Sequence, residues 1–297
     1  MADPGRPGHA YGVWRRDGDE PLRPTTVRFS RTTDGGLHWS APTTILAPAP
    51  EVPTVAEIEI LPDGDLLAAV ALIPLATLVP APSQVPVSYR VVAIRSEDEG
   101  ATWSEPVTII EAELGQAVQP GTENAVRGSE GSSQLAVAPD GSAYVAVSEQ
   151  ASDRPASIRL ARSTDGGESW EETTRVTEVR SGAPFLPMIA VLRDGTIGIT
   201  YYSTQGDEEG DEEWTTEVRF AHSHDEGQSW ESIRLAGPFD MTGTTFSTPG
   251  PLGFTGFFVG DYHGLAALPN GFAAAFSLGP PAAKKGKNDI FYASIRA

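Results

Sequence analysis

Apolar and polar residues alternate with a period of two along the chain, in short runs separated by turn residues. The runs 26–30, 89–94, 157–161 and 218–221 read as strands with one buried face. Each leads into an octapeptide with the pattern hydroxyl, any, Asp, any, Gly, any, any, Trp, at 32–39, 96–103, 163–170 and 223–230. Its aspartates, Asp34, Asp98, Asp165 and Asp225, are 64, 67 and 60 residues apart. A second turn repeats out of phase, at Asp63-Gly64, Asp140-Gly141, Asp194-Gly195 and Asn270-Gly271, each time between two apolar runs. Alternation into and out of an Asp-Gly turn is a hairpin signature. Each unit therefore reads as four antiparallel strands, with the Asp-Gly turn between the first two and the octapeptide between the last two. The turn positions place units near 2–50, 53–116, 132–180, 185–237 and 261–297, and the last stops after its third strand.

Composition agrees with many short strands. Gly (31) and Pro (25) make up about a fifth of the 297 residues and fall in short clusters. With 39% hydrophobic residues the chain can build a sizeable core. The apolar stretch 66–79 is shorter than the roughly 20 residues of a membrane helix and is broken by Pro74. A formal charge of −19 repels phosphate polyanions, which argues against nucleic acid and anionic membranes as partners. There is no cysteine, so disulfides, thiolate metal sites and a cysteine nucleophile are excluded together. The amino terminus has no apolar segment after a basic start, so no secretory signal is read in the chain.

Four-stranded units at about 60-residue spacing suit the blades of a β-propeller. The octapeptide resembles the Asp-box, or bacterial neuraminidase repeat, of sialidases and related propeller proteins, and the resemblance covers nearly the whole chain. It implies an all-β, sialidase-type propeller in a single domain, 1–297, with five recognisable blades where the family has six. The incomplete last blade and a start directly in blade material lead us to expect a chain truncated at its amino terminus. The family also implies an extracellular location and no cofactor. In the family the boxes are structural and lie away from the catalytic face. Their tryptophans, Trp39, Trp103, Trp170 and Trp230, are expected to be largely buried at equivalent positions. Arg31, Arg95 and Arg162, just before the boxes, are expected to be solvated strand ends.

The same resemblance implies a glycoside hydrolase that removes a terminal sugar from glycans. Such an enzyme needs arginines to clamp a carboxylate, a Tyr activated by a Glu as nucleophile, and an Asp as acid/base. The family's Arg-Ile-Pro tripeptide is absent. Glu149 and Tyr202 end the second strands of adjacent units, within one position of each other when aligned on their turn glycines, and are the candidate nucleophile pair. A Tyr202→Phe change is expected to abolish turnover with melting nearly unchanged. Asp261 and His263 open a first strand and are candidates for acid/base work, with Tyr262 between them as a substrate contact. Arg127 and Arg180 lie in connections between units and are the candidate carboxylate clamps. The alternative is a noncatalytic propeller that binds glycan or protein on its channel face. No metal site is expected: the five histidines are mostly isolated, and the acidic loop 206–213 lacks calcium-loop spacing.

Overall fold

The computed structural model describes residues 1–18, 25–75, 87–128, 133–151, 155–179, 182–205, 214–247, 255–260, 263–282 and 287–296. Among these, every regular element except short 3-10 turns is a β-strand. The first sheet holds β1 (Ala10–Arg16), β2 (Thr26–Thr32) and β3 (Thr43–Leu46), with residue 2 bridging to Ala10 at its inner edge. The second is β4 (Glu51–Ile60), β5 (Leu66–Pro74), β6 (Val87–Ser96) and β7 (Val107–Leu114). The third is β8 (Ser133–Val137), β9 (Ala143–Glu149) and β10 (Ala156–Ser163), with β11 (Glu171–Glu172) and β12 (Thr177–Val179) both pairing with β10. The fourth is β13 (Pro184–Val191), β14 (Ile197–Thr204), β15 (Thr215–Ser223) and β16 (Glu231–Asp240). A ribbon of β17 (Thr245–Ser247) and β18 (Gly256–Phe258) precedes a last, three-stranded sheet of β19 (Gly264–Leu268), β20 (Gly271–Leu278) and β21 (Asp289–Ile295). All sheet pairings are antiparallel and, except for β12, which pairs with β10 and not with β11, consecutive strands of a sheet are neighbours in it, as the turn spacing predicts.

Burial explains the order. The second strands of the three central units, β5, β9 and β14, are buried on both faces almost throughout, because a neighbouring unit lies against each side. The first strands β4, β8, β13 and β19 pack against one another in chain order and form the inner edge. In the units that carry both, the Asp-Gly turn and the octapeptide occupy one end of the sheet, and the connections to the next unit occupy the other.

The octapeptide is a hydrogen-bond knot of local origin. Asp98 accepts from the hydroxyl of Ser96 (2.9 Å), the amide of Thr102 (2.8 Å) and the hydroxyl of Thr102 (2.6 Å), while the Ser96 hydroxyl accepts from the amide of Gly100 (2.8 Å). Asp165 and Asp225 repeat the arrangement. Bonds to the ionised form pull these carboxyls down to about 2: those from Thr102 and Ser229 dominate at Asp98 and Asp225, and at Asp165 burial opposes but is outweighed by the bonds from Ser169, Ser163 and Glu168 together. The glycine is needed twice over at Gly100. Its φ is +86°, and a Cβ there would lie 2.2 Å from the Phe29 ring of the preceding unit.

Two expectations are corrected here. Trp103, Trp170 and Trp230 each donate the indole N–H to the box glycine carbonyl at 3.1–3.3 Å but are only half-buried, and Trp39 is 50% exposed. The indole lies across the rim of its own turn, so burial depends on the neighbouring unit: Phe29 of the first unit packs edge-to-face on Trp103 of the second. The arginines before the boxes are not solvated ends. Each reaches the next unit: Arg31 to Glu99, Arg95 to Glu168 and Arg162 to Glu226.

Candidate functional site

The connections at the opposite end differ in length and sequence, and two of them meet. The segment between β7 and β8 and the segment between β16 and β19 join through a parallel bridge of Val126 with Phe257, in which the Arg127 amide donates to the Phe257 carbonyl and the Phe257 amide to the Ala125 carbonyl, both at 2.8 Å. Gly256 makes this approach possible, since a Cβ there would lie 2.2 Å from the Ala125 carbonyl oxygen. The junction seals an apolar cluster that includes Val126, Phe185, Leu186, Tyr202, Trp214, Phe239 and Phe257.

Four candidate residues lie in the described part of the chain. Tyr202 and His263 are brought together, with ring centroids 5.3 Å apart and planes at 87°. Tyr202 also stacks on Phe185, and its hydroxyl donates to the Ser277 carbonyl (2.9 Å) and accepts from the Ser277 amide (3.0 Å). Burial pushes the phenol upward, partly offset by the Ser277 amide. His263 is buried, its Nε2 3.0 Å from the Thr200 hydroxyl, and burial pulls its pKa down to about 4, so the ring is neutral at ordinary pH. Its Nδ1 is buried and has no hydrogen-bond partner among the described residues. Arg127 holds its guanidinium 4.7 Å above the Phe258 ring and donates to the Ser247 hydroxyl at 2.7 Å. Close by, Leu186 adopts φ +49° at a register irregularity in β13, an unusual conformation for a large side chain.

Glu149 faces elsewhere. It is fully buried between the second and third units, where its carboxylate meets Arg159 at 2.6 Å and Arg175 at 3.6 Å. Arg159 also donates to the Glu111 carbonyl of the preceding unit, and Tyr89 of that unit donates its hydroxyl to the Ser148 carbonyl. Alignment on turn glycines put Glu149 and Tyr202 at one height, but the side chains engage different partners and no hydrogen bond joins them. Asp261, Tyr262 and Arg180 lie outside the described residues, as does the acidic loop 206–213.

Two groups were missed by the sequence reading. Glu57 and Glu59 share one face of the inner strand β4. Glu57 accepts from the Leu135 amide at 2.6 Å and from the Gln134 side chain, capping the edge of β8. Burial raises Glu57 to about 8 and Glu59 to about 7. The signal was present: two acids at alternate positions of the apolar run 55–60, on a strand assigned to the inner edge. Among the described residues no group of three or more His, Cys, Asp or Glu side chains could hold a metal ion, and no helix is long and apolar enough to cross a membrane.

No family model matches the chain, and no curated protein matches it in sequence. Solved structures do match in fold. A Hadza microbial sialidase superposes with TM-score 0.56 at 14% identity over 96% of this chain and 54% of its own. A Penicillium chrysogenum α-L-arabinanase complexed with arabinobiose gives TM-score 0.54 at 16% identity over 98% and 90%. A Trypanosoma rangeli sialidase in complex with sialic acid gives 0.55 at 12% identity over 97% and 45%. The chain thus spans about half the length of these two sialidases and most of the arabinanase. The fold is the one shared by propeller glycoside hydrolases.

Proposed function

We propose that this protein is a glycoside hydrolase of the sialidase-type propeller class that cleaves a terminal sugar where the two linked connections cross the inner strands. In this reading the chain is one domain of five blades, its octapeptides are Asp-boxes, and the protein works outside the cell. The observation that carries the proposal is that Tyr202, His263 and the Arg127 segment, three candidates far apart in sequence, border one cluster at the end of the sheets opposite the octapeptides. Asp261, two residues before His263, is the acid/base, Tyr262 contacts the sugar, and Arg127 with Arg180 receives an anionic substituent. Tyr202 and Glu149 do not act as a nucleophile pair, because Ser277 holds both hydrogen-bonding sides of the Tyr202 hydroxyl and arginines hold Glu149.

The test is turnover of fluorogenic sialosides and arabinofuranosides. Asp261→Asn should remove activity while leaving the melting temperature and glycan binding in place. The satisfied Tyr202 hydroxyl favours a second reading, a noncatalytic glycan binder. No turnover by the intact protein on either substrate class, together with glycan binding that Arg127→Ala abolishes, would decide for the binder.

A further inference from the structure

The junction between one octapeptide and the next occurs three times within the chain and is not closed equally. Between the first and second units, Arg31 reaches the Glu99 carbonyl at 2.7 Å and its carboxylate at 3.3 Å. Between the third and fourth, Arg162 meets Glu226 at 2.7 Å, and the Thr174 hydroxyl lies 2.7 and 2.9 Å from the Gly227 and Gln228 carbonyls. Between the second and third, Arg95 meets Glu168 instead, Gly166 standing where Glu99 and Glu226 stand and Val107 where Thr174 stands. A pocket of about 420 Å³ opens there, lined by Arg95, Glu97, Trp103, Glu105, Val107 and Glu168 among others.

The lining chemistry selects a ligand class. Arg95 is held from outside the pocket by Asp65 at 2.6 Å, so its charge is largely spent, and it meets Glu168 at 3.3 Å. Three carboxylates around one compensated guanidinium leave the pocket negative, and the Trp103 indole, its N–H taken by the Gly100 carbonyl, is one of the lining groups. An anion or a bare sugar gains little there; a soft cation gains from both wall types. We propose that this pocket, on the octapeptide side and separate from the site above, binds an organic ammonium ion, with Trp103 and the carboxylates of Glu97, Glu105 and Glu168 as its walls.

The test must separate this pocket from the general attraction of a −19 protein for cations. Choline is titrated into the isotope-labelled full chain, with its uncharged isostere 3,3-dimethylbutanol as control, and nuclear magnetic resonance follows the four octapeptide indole N–H signals. The expected result is a saturable shift at Trp103 and the Gly167 amide alone, with choline preferred over the isostere by at least about tenfold. Gly166→Glu restores the side chain found at Glu99 and Glu226, which adopt φ +58° and +62° close to the +73° of Gly166, and should abolish the shift. A Cβ at 166 would lie 2.9 Å from the tip of Arg95, so that flexible side chain must move. Val107→Thr, which makes no such demand, is the second variant and should weaken binding. Equal shifts at all four indoles, equal binding of the isostere, or unchanged binding in both folded variants would overturn the proposal.

Discussion

The two ends of the sheets are built on different principles. At the octapeptide end, each turn is closed by bonds among its own eight residues, so the same knot forms wherever the pattern occurs. At the opposite end, among the described residues, segments more than 100 residues apart meet at Val126 and Phe257 beside a cluster that holds Tyr202, on which His263 packs. A local code can be read from a short window, whereas a site built from long connections depends on which units they happen to bridge.

The largest effect should come from disturbing the repeated end where a neighbour depends on it. Gly100→Val forces a left-handed backbone on a branched residue and drives its side chain into Phe29, and should cost about 3 kcal/mol or more by urea denaturation. Gly35→Ala, at a position with nothing within 4 Å, should cost only the conformational penalty of about 1 kcal/mol. Equal losses would mean that the turn itself, rather than the junction, limits stability.

Asp165→Ala removes the acceptor of the Ser163 and Ser169 bonds and should lower stability by about 1–3 kcal/mol, read as a shift in urea midpoint. Next is Tyr202→Phe at the opposite end. The sequence suggested an unchanged melting temperature, but the hydroxyl serves both Ser277 groups, so its loss leaves a Ser277 N–H unpaired and should cost about 1–2 kcal/mol. A wild-type melting curve would show that water replaces the phenol there.

The smallest effect is electrostatic, and the two regions should respond with opposite sign. Glu57 and Glu59 rise from 4.5 to about 8 and about 7, so the folded chain holds protons that the unfolded chain has released. Their contribution is full below about pH 4.5 and is lost as pH rises toward 8. The octapeptide aspartates, lowered from 3.8 to about 2, contribute above about pH 4 and lose that contribution as pH falls to 2. Urea midpoints measured from pH 2 to 9 should rise and then decline, and Glu57→Gln should flatten the decline. An unaltered decline in that variant would assign it to other groups.

Much of the fold was legible because strand alternation and turn chemistry are local. The sheet limits 51–114, 133–179 and 184–240 lie close to those placed by the turn spacing, and the last sheet does end on its third strand. Less of the site was legible. Aligning Glu149 with Tyr202 fixed their height on adjacent sheets, but height does not say which neighbour a side chain meets. Arg159 and Arg175 lie beside one, and Ser277, 75 residues away, beside the other. The arginines before the boxes were misjudged for the same reason, since a strand end looks solvated until the next unit is set against it.

By itself the sequence determined the hairpins, their turns and their order, because each is stabilised by bonds spanning a few residues and by a period-2 pattern that survives without knowledge of neighbours. The tertiary structure alone decided how each octapeptide junction is bridged, how far each indole is covered, and that burial raises the carboxyls of Glu57 and Glu59. Those outcomes depend on distances between units and on water excluded between sheets, quantities that no window of the sequence contains.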